Sequence, residues 1–138
     1  MRRLSILACL PLVLALPARA DAPAAVPVMV GGQDGLDACP SFGAIIPLRK
    51  GGDGFVAVRA APSVKARLLD RLKSGRELVL CQTSADGKWI GVVYPEPFGG
   101  MGPGDCGVSS AADGPPRPYE GDCLSGWVYA AYVTVTAG

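Results

Sequence analysis

The chain has no histidine anywhere in its 138 residues. That absence excludes Ser-His-Asp and Cys-His catalysis and removes the commonest general base. It also weakens any zinc reading, because the cysteines form no C-x-x-C pair and no imidazole is present to complete a ligand set. Asparagine is missing as well, so Asp-Gly alone carries the hairpin chemistry that Asn-Gly would otherwise share. No large excess of either charge exists, with 13 basic and 12 acidic residues. A nucleic-acid partner is therefore not expected. Beyond the first twenty residues there is no long apolar run.

Those first twenty residues read as a secretory signal peptide. Arg2 and Arg3 precede an apolar stretch from Leu4 to Leu16 that only Ser5 and Pro11 interrupt, and Ala18-Arg19-Ala20 supplies the small-x-small cleavage pattern. The stretch is too short for a membrane anchor, which needs about 20 apolar residues. A lipobox ending at Cys9 would leave too few residues for a charged start and an apolar core. Cleavage after Ala20 leaves 118 residues, enough for one domain, with ten basic against twelve acidic side chains and a net charge of −2. Export to the periplasm or beyond is expected, with no integral membrane segment after cleavage. Cleavage also removes Cys9, leaving Cys39, Cys81, Cys106 and Cys123. An even number in a small exported domain implies two disulfides, with three connectivities open.

Residues 21–37 are rich in Ala, Pro and Gly and read as a flexible leader, with the folded domain spanning 38–138. From there the punctuation is that of an all-β protein. Short Val/Leu/Ile-rich runs at Ala44–Leu48, Phe55–Arg59, Leu68–Leu72, Glu77–Gln82, Trp89–Tyr94, Gly126–Tyr129 and Val133–Thr136 are separated by Gly and Asp turn signals. Asp86-Gly87 between two of these runs is a hairpin signal, since both residues tolerate positive φ. Val56 with Val58, and Leu78 with Leu80, fall on one face of their strands. No stretch keeps a helical period. Residues 95–122 break the rhythm: they hold six of the 13 prolines and seven of the 19 glycines. A loop of that length in a compact domain is functional or disordered, and Cys106 and Cys123 bracketing its second half favour an ordered excursion.

The chemistry open to such a chain is narrow. Oxidised cysteines offer no thiolate nucleophile. Glu96, Asp105, Glu120 and Asp122 are the remaining route to acid–base work, but loop carboxylates are ordinarily solvated turn residues. Gly102 to Gly107 satisfies G-x-G-x-x-G literally, yet proline and cysteine occupy it and no helix follows to receive a pyrophosphate. Asp34 and Asp37 are too sparse for a calcium loop. No catalytic residue, metal or cofactor is expected. Lys65, Arg67, Arg71, Lys73 and Arg76 form one basic run, best read as a solvated face. The candidate ligand-binding residues are aromatic: Trp89, Tyr94, Trp127 and Tyr129 on strands, and Phe98 and Tyr119 in the insertion. Strand aromatics serve first as packing, with polar edges able to reach a groove.

Five landmarks in order carry a resemblance: Val58-Arg59-Ala60-Ala61-Pro62-Ser63; Leu68, Leu69 and Leu72 followed by Gly75; Trp89 to Tyr94; Gly126-Trp127-Val128; and Tyr132-Val133. Over about residues 44–94 and 125–136 the chain resembles the bacterial SH3-like (SH3b) domains. The resemblance implies a small SH3-like barrel with a disulfide-stapled insertion (95–122) before the penultimate strand. It also implies a non-catalytic binding module for peptidoglycan or another cell-envelope ligand, a wall peptide or glycan. The alternative is a secreted protein–protein interaction or inhibitor domain that recognises an envelope protein through the 95–122 loop. On the fold so implied, Leu78 and Leu80 point inward and Cys81 outward, toward the entering segment. The expected pairs are therefore Cys39–Cys81 and Cys106–Cys123.

Overall fold

A computed structural model describes residues 15–17, 19–97 and 106–138. The start and most of the apolar stretch of the expected signal peptide lie outside the described residues, as do Phe98, Asp105 and most of the glycine-rich hexapeptide. Among the described residues nine strands follow in chain order: β1 (Met29–Val30), β2 (Ser41–Ile45), β3 (Val56–Arg59), β4 (Leu68–Leu72), β5 (Glu77–Thr83), β6 (Trp89–Tyr94), β7 (Arg117–Pro118), β8 (Leu124–Tyr129) and β9 (Val133–Ala137). One 3-10 turn, Ala130–Tyr132, joins β8 to β9. The protein is all-β, as expected. Seven strands form one antiparallel sheet in the order β4-β3-β8-β6-β5-β2-β9, and β1 and β7 form a separate two-stranded patch.

Two-residue alternation decides what each face of the central strands touches. Leu78 and Leu80 of β5, Val92 and Tyr94 of β6 and Val128 of β8 point to the inner face. There they meet Val56, Val58, Leu72 and Ile45 in one buried cluster. Because that cluster draws on β4 at one end of the sheet and on β2 near the other, the sheet must curl around it. The curl stops short of a closed barrel. β4 and β9 are not hydrogen-bonded to each other. Four of the five β9 residues are exposed, and β4 carries Asp70 and Arg71, charges suited to a solvent edge. The expected barrel is corrected to an open, curled sheet.

The outer face of β5, β6 and β8 is equally dry. Val79, Trp89, Val93 and Trp127 lie beneath Val28, Val30, Ala38 and Cys39 from the N-terminal side and Val108 and Ala112 from the insertion. Gly91 makes room for this layer, since a Cβ there would sit 3.1 Å from Val28. The leader expected over 21–37 therefore ends sooner than the composition suggests. From Val26 onward it is a strap: Val26 N–H donates to the Ala60 carbonyl (2.8 Å) and Tyr119 N–H to that of Val28 (2.9 Å). Burying Val28 and Val30 is worth about 1.5–3 kcal/mol each, enough to order a segment whose propensity is poor.

The strap and the insertion hold one another. Ala38 and Cys39 donate to the carbonyls of Ser110 and Val108, at 2.9 and 3.0 Å. Asp113 accepts from Gly35 N–H and Asp34 from Gly114 N–H, both at 3.0 Å. Both disulfides are as expected, Cys39–Cys81 and Cys106–Cys123. The Asp86-Gly87 turn joins β5 to β6, with Gly87 at φ 71°. Asp86 accepts from the Ser84 hydroxyl (2.6 Å) and from Lys88 N–H (3.0 Å). Those two hydrogen bonds, the Ser84 one foremost, pull the Asp86 carboxyl below its ordinary pKa, with the Lys88 charge adding less. One strand is displaced from its expected place. The Ala44–Leu48 run becomes β2 at Ser41–Ile45, because Pro47 has no N–H to continue the ladder.

Candidate functional site

The aromatic candidates separate into three groups. Tyr94 and Trp127 are core residues, 1% and 2% exposed. Tyr94 donates its hydroxyl to Asp70 Oδ2 (3.0 Å) beneath the Arg76 guanidinium, 5.5 Å from the ring centre. Burial pushes the Tyr94 phenol well above its usual pKa; the Asp70 charge and hydrogen bond push the same way and Arg76 opposes. Trp127 donates its indole N–H to the Val26 carbonyl at 2.8 Å, so its polar edge meets the strap and no ligand. Tyr119 is a brace. Its hydroxyl donates to the Cys106 carbonyl (3.1 Å) and accepts from Cys123 N–H (3.2 Å), fixing the insertion beside its own disulfide.

Trp89 and Tyr129 form the third group, and they do meet at a surface. They are directly paired across β6 and β8, and their rings make an edge-on contact at 5.4 Å and 81°. The 3-10 turn then brings Tyr132 round to 6.2 Å from Tyr129. Phe55, just before β3, and Val64 complete the walls of a groove of about 500 Å³. A second hollow of about 610 Å³, bordered by Ile46, Pro47 and Leu48, shares Asp53, Phe55 and Tyr132 with it. The two hollows adjoin at these residues, and together they are called the trough. Tyr129 and Tyr132 are 37% and 45% exposed, so the rings are presented to solvent.

The charge of the trough is mixed. Asp53 and Arg59 both border it, and one Arg59 nitrogen already donates to the Ala66 carbonyl (2.9 Å). Arg71 of the basic run lies 5.3 Å over Phe55 and Arg76 lies over Tyr94, so part of that run packs on rings. An aromatic floor with a few polar groups of both signs suits an elongated, mostly uncharged ligand. Phe55 and Tyr132 were not among the candidates. Tyr132 had a signal, its place in the Tyr132-Val133 landmark; Phe55 had none, because its role comes from the curl that brings β3 beside the 3-10 turn.

Asp105 lies outside the described residues, and the described insertion carboxylates do not border the trough. Glu120 and Asp122 are exposed beside a hollow of about 400 Å³ next to Cys106–Cys123. Among the described residues no three His, Cys, Asp or Glu side chains gather as a metal site. No helix among them is long and apolar enough to cross a membrane. No family model, curated protein or solved structure matches the chain.

Proposed function

We propose that the chain is an exported, non-catalytic SH3-like binding module that takes a cell-envelope ligand, a wall peptide or glycan, in the trough beside Trp89, Tyr129, Tyr132 and Phe55. The observation that carries this reading is the exposure of Tyr129 and Tyr132 around an otherwise buried Trp89. A ring that packs on one edge and keeps a face in solvent can stack on a sugar face or an apolar peptide side chain. The signal-like N-terminus and two disulfides support a periplasmic or secreted setting, where thiols stay oxidised. The described part of the insertion is committed to covering the sheet, which leaves the trough as the better-formed recognition surface.

The test is co-sedimentation of the mature protein with purified peptidoglycan sacculi. Wild type pellets with the wall and a Tyr129→Ala/Tyr132→Ala double variant stays in solution. Wild type remaining wholly in the supernatant rejects the wall ligand.

A further inference from the structure

β3 carries a charge that the rings of the trough leave unanswered. Val56 and Val58 lie in the inner cluster, so Ala57 and Arg59 alternate to the outer face, and both border the hollow beside Trp89 and Tyr129. A bulge lies next to Arg59, but the residue it skips is Leu69 of β4, and β3 keeps its own alternation. Arg59 stands opposite Trp127 of β8. Tyr129 is one outer-face step further along β8, so the guanidinium and that ring are diagonal neighbours. Such neighbours are about 7–8 Å apart at the backbone, within reach of a single ligand.

Arg59 is half-buried and held at one corner. One terminal nitrogen donates to the Ala66 carbonyl (2.9 Å), and that carbonyl is its one hydrogen-bond partner among the described residues. A guanidinium has further N–H groups in a fixed fork, and none of those on Arg59 is sealed from solvent without a partner, as the Arg76 Nε is. Arg71 and Arg76, by contrast, lie over Phe55 and Tyr94. Val64 and Leu68 border the same hollow as Arg59 and keep water from part of it, which strengthens a charge contact there. Asp53 borders both hollows and Arg59 only one, so the negative charge stands at the junction and the positive one away from it. A polyanion laid along the trough would meet Asp53, and a neutral glycan would leave Arg59 unanswered.

We infer that the trough takes a peptide by a carboxylate, and that Arg59 is the residue that selects it. The guanidinium holds the carboxylate while the adjoining apolar part of the peptide lies on Tyr129 and Tyr132. An arginine already fixed by Ala66 loses little freedom on binding, an advantage that lysine would lack. This inference rests on the trough being the binding site, and it commits the ligand to the peptide of the wall rather than its glycan.

Isothermal titration calorimetry tests it with peptides released from sacculi by an amidase, and with the same peptides after their carboxylates are converted to amides. Wild type should bind the free form at least about tenfold more tightly, the worth of one charge-assisted hydrogen bond. In Arg59→Gln the two forms should bind alike. Lys65→Gln removes the same charge from outside the trough and should keep the full difference. The wild-type comparison stands even if Arg59→Gln folds poorly. Equal binding of both peptide forms by wild type, an undiminished difference in Arg59→Gln, or tighter binding of a neutral N-acetylglucosamine tetramer would each overturn the inference. If the binding seen is lost in the Tyr129→Ala/Tyr132→Ala double variant, the trough itself survives that result. Binding that persists in the double variant, or wild type that binds none of these probes, removes the trough and the inference together.

Discussion

Trp127 and Val26 stand 101 positions apart in the chain and are joined by a 2.8 Å hydrogen bond from the indole N–H to the carbonyl. The bond fastens the beginning of the strap to the middle of the sheet. Trp127→Phe keeps most of the ring but removes the donor, and should cost about 1 kcal/mol. Trp127→Ala should cost about 3–5 kcal/mol by opening a cavity under the strap. Urea denaturation measures both. In the Phe variant hydrogen exchange should quicken first over residues 26–30, and uniform acceleration across the sheet would contradict this role.

The two disulfides should differ in weight. Cys39–Cys81 spans a sequence separation of 42 and Cys106–Cys123 one of 17. Chain-entropy reasoning gives about 4 and 3 kcal/mol respectively. Domains of this size have only about 5–15 kcal/mol in total, so replacing either pair with alanine should lower the urea midpoint visibly, the first pair more. Equal losses, or the reverse order, would show that the packing each bridge protects matters more than the loop it closes.

Tyr94 links stability to alkaline pH. Its phenol pKa is raised in the fold, chiefly by burial, so folding favours the neutral ring. The stabilisation is complete below the unfolded pKa of about 10 and declines as pH rises above it. Tyr94→Phe should cost about 1 kcal/mol at neutral pH through loss of the bond to Asp70. It should also flatten the alkaline fall in stability. Melting temperatures recorded across that range would reveal the crossing; parallel curves for the two proteins would exclude the linkage.

Tyr129→Ala and Tyr132→Ala should change stability little. The edge-on ring contact of Tyr129 is worth about 0.5–1.5 kcal/mol, and both side chains are substantially exposed. Thermal melts of the single variants should therefore stay close to wild type while wall binding falls. A large loss of stability would recast these rings as packing.

Much of the sheet is legible in the residues because burial on one face writes a two-residue period. Leu78 and Leu80 announce β5, Val56 and Val58 announce β3, and Asp86-Gly87 marks the turn into β6. The outward direction of Cys81 follows from the same period, but its partner Cys39 follows only from the fold that the resemblance implies, which lays the entering segment across the sheet. The strap is harder to read. Val26, Val28 and Val30 do alternate, but prolines and glycines around them give no local preference for a strand, and what orders them is the uncovered outer face of β5, β6 and β8. The five described aromatic candidates divide for a similar reason. Sequence shows that Tyr94 and Tyr129 both end strands, whereas only the curl shows that one faces the core and the other the trough.

The placement of the two tryptophans gives the protein its own optical probe. Trp127 is sealed beneath the strap, whereas Trp89 shares its neighbourhood with Tyr129 at the trough wall. Any change in intrinsic emission when a ligand enters should then arise at the second indole alone. Both indoles are buried, so a collisional quencher in solution should reach neither until the covering layer detaches, and one cuvette can separate occupancy of the trough, read as a shift of the Trp89 emission, from loosening of the coat, read as quenching.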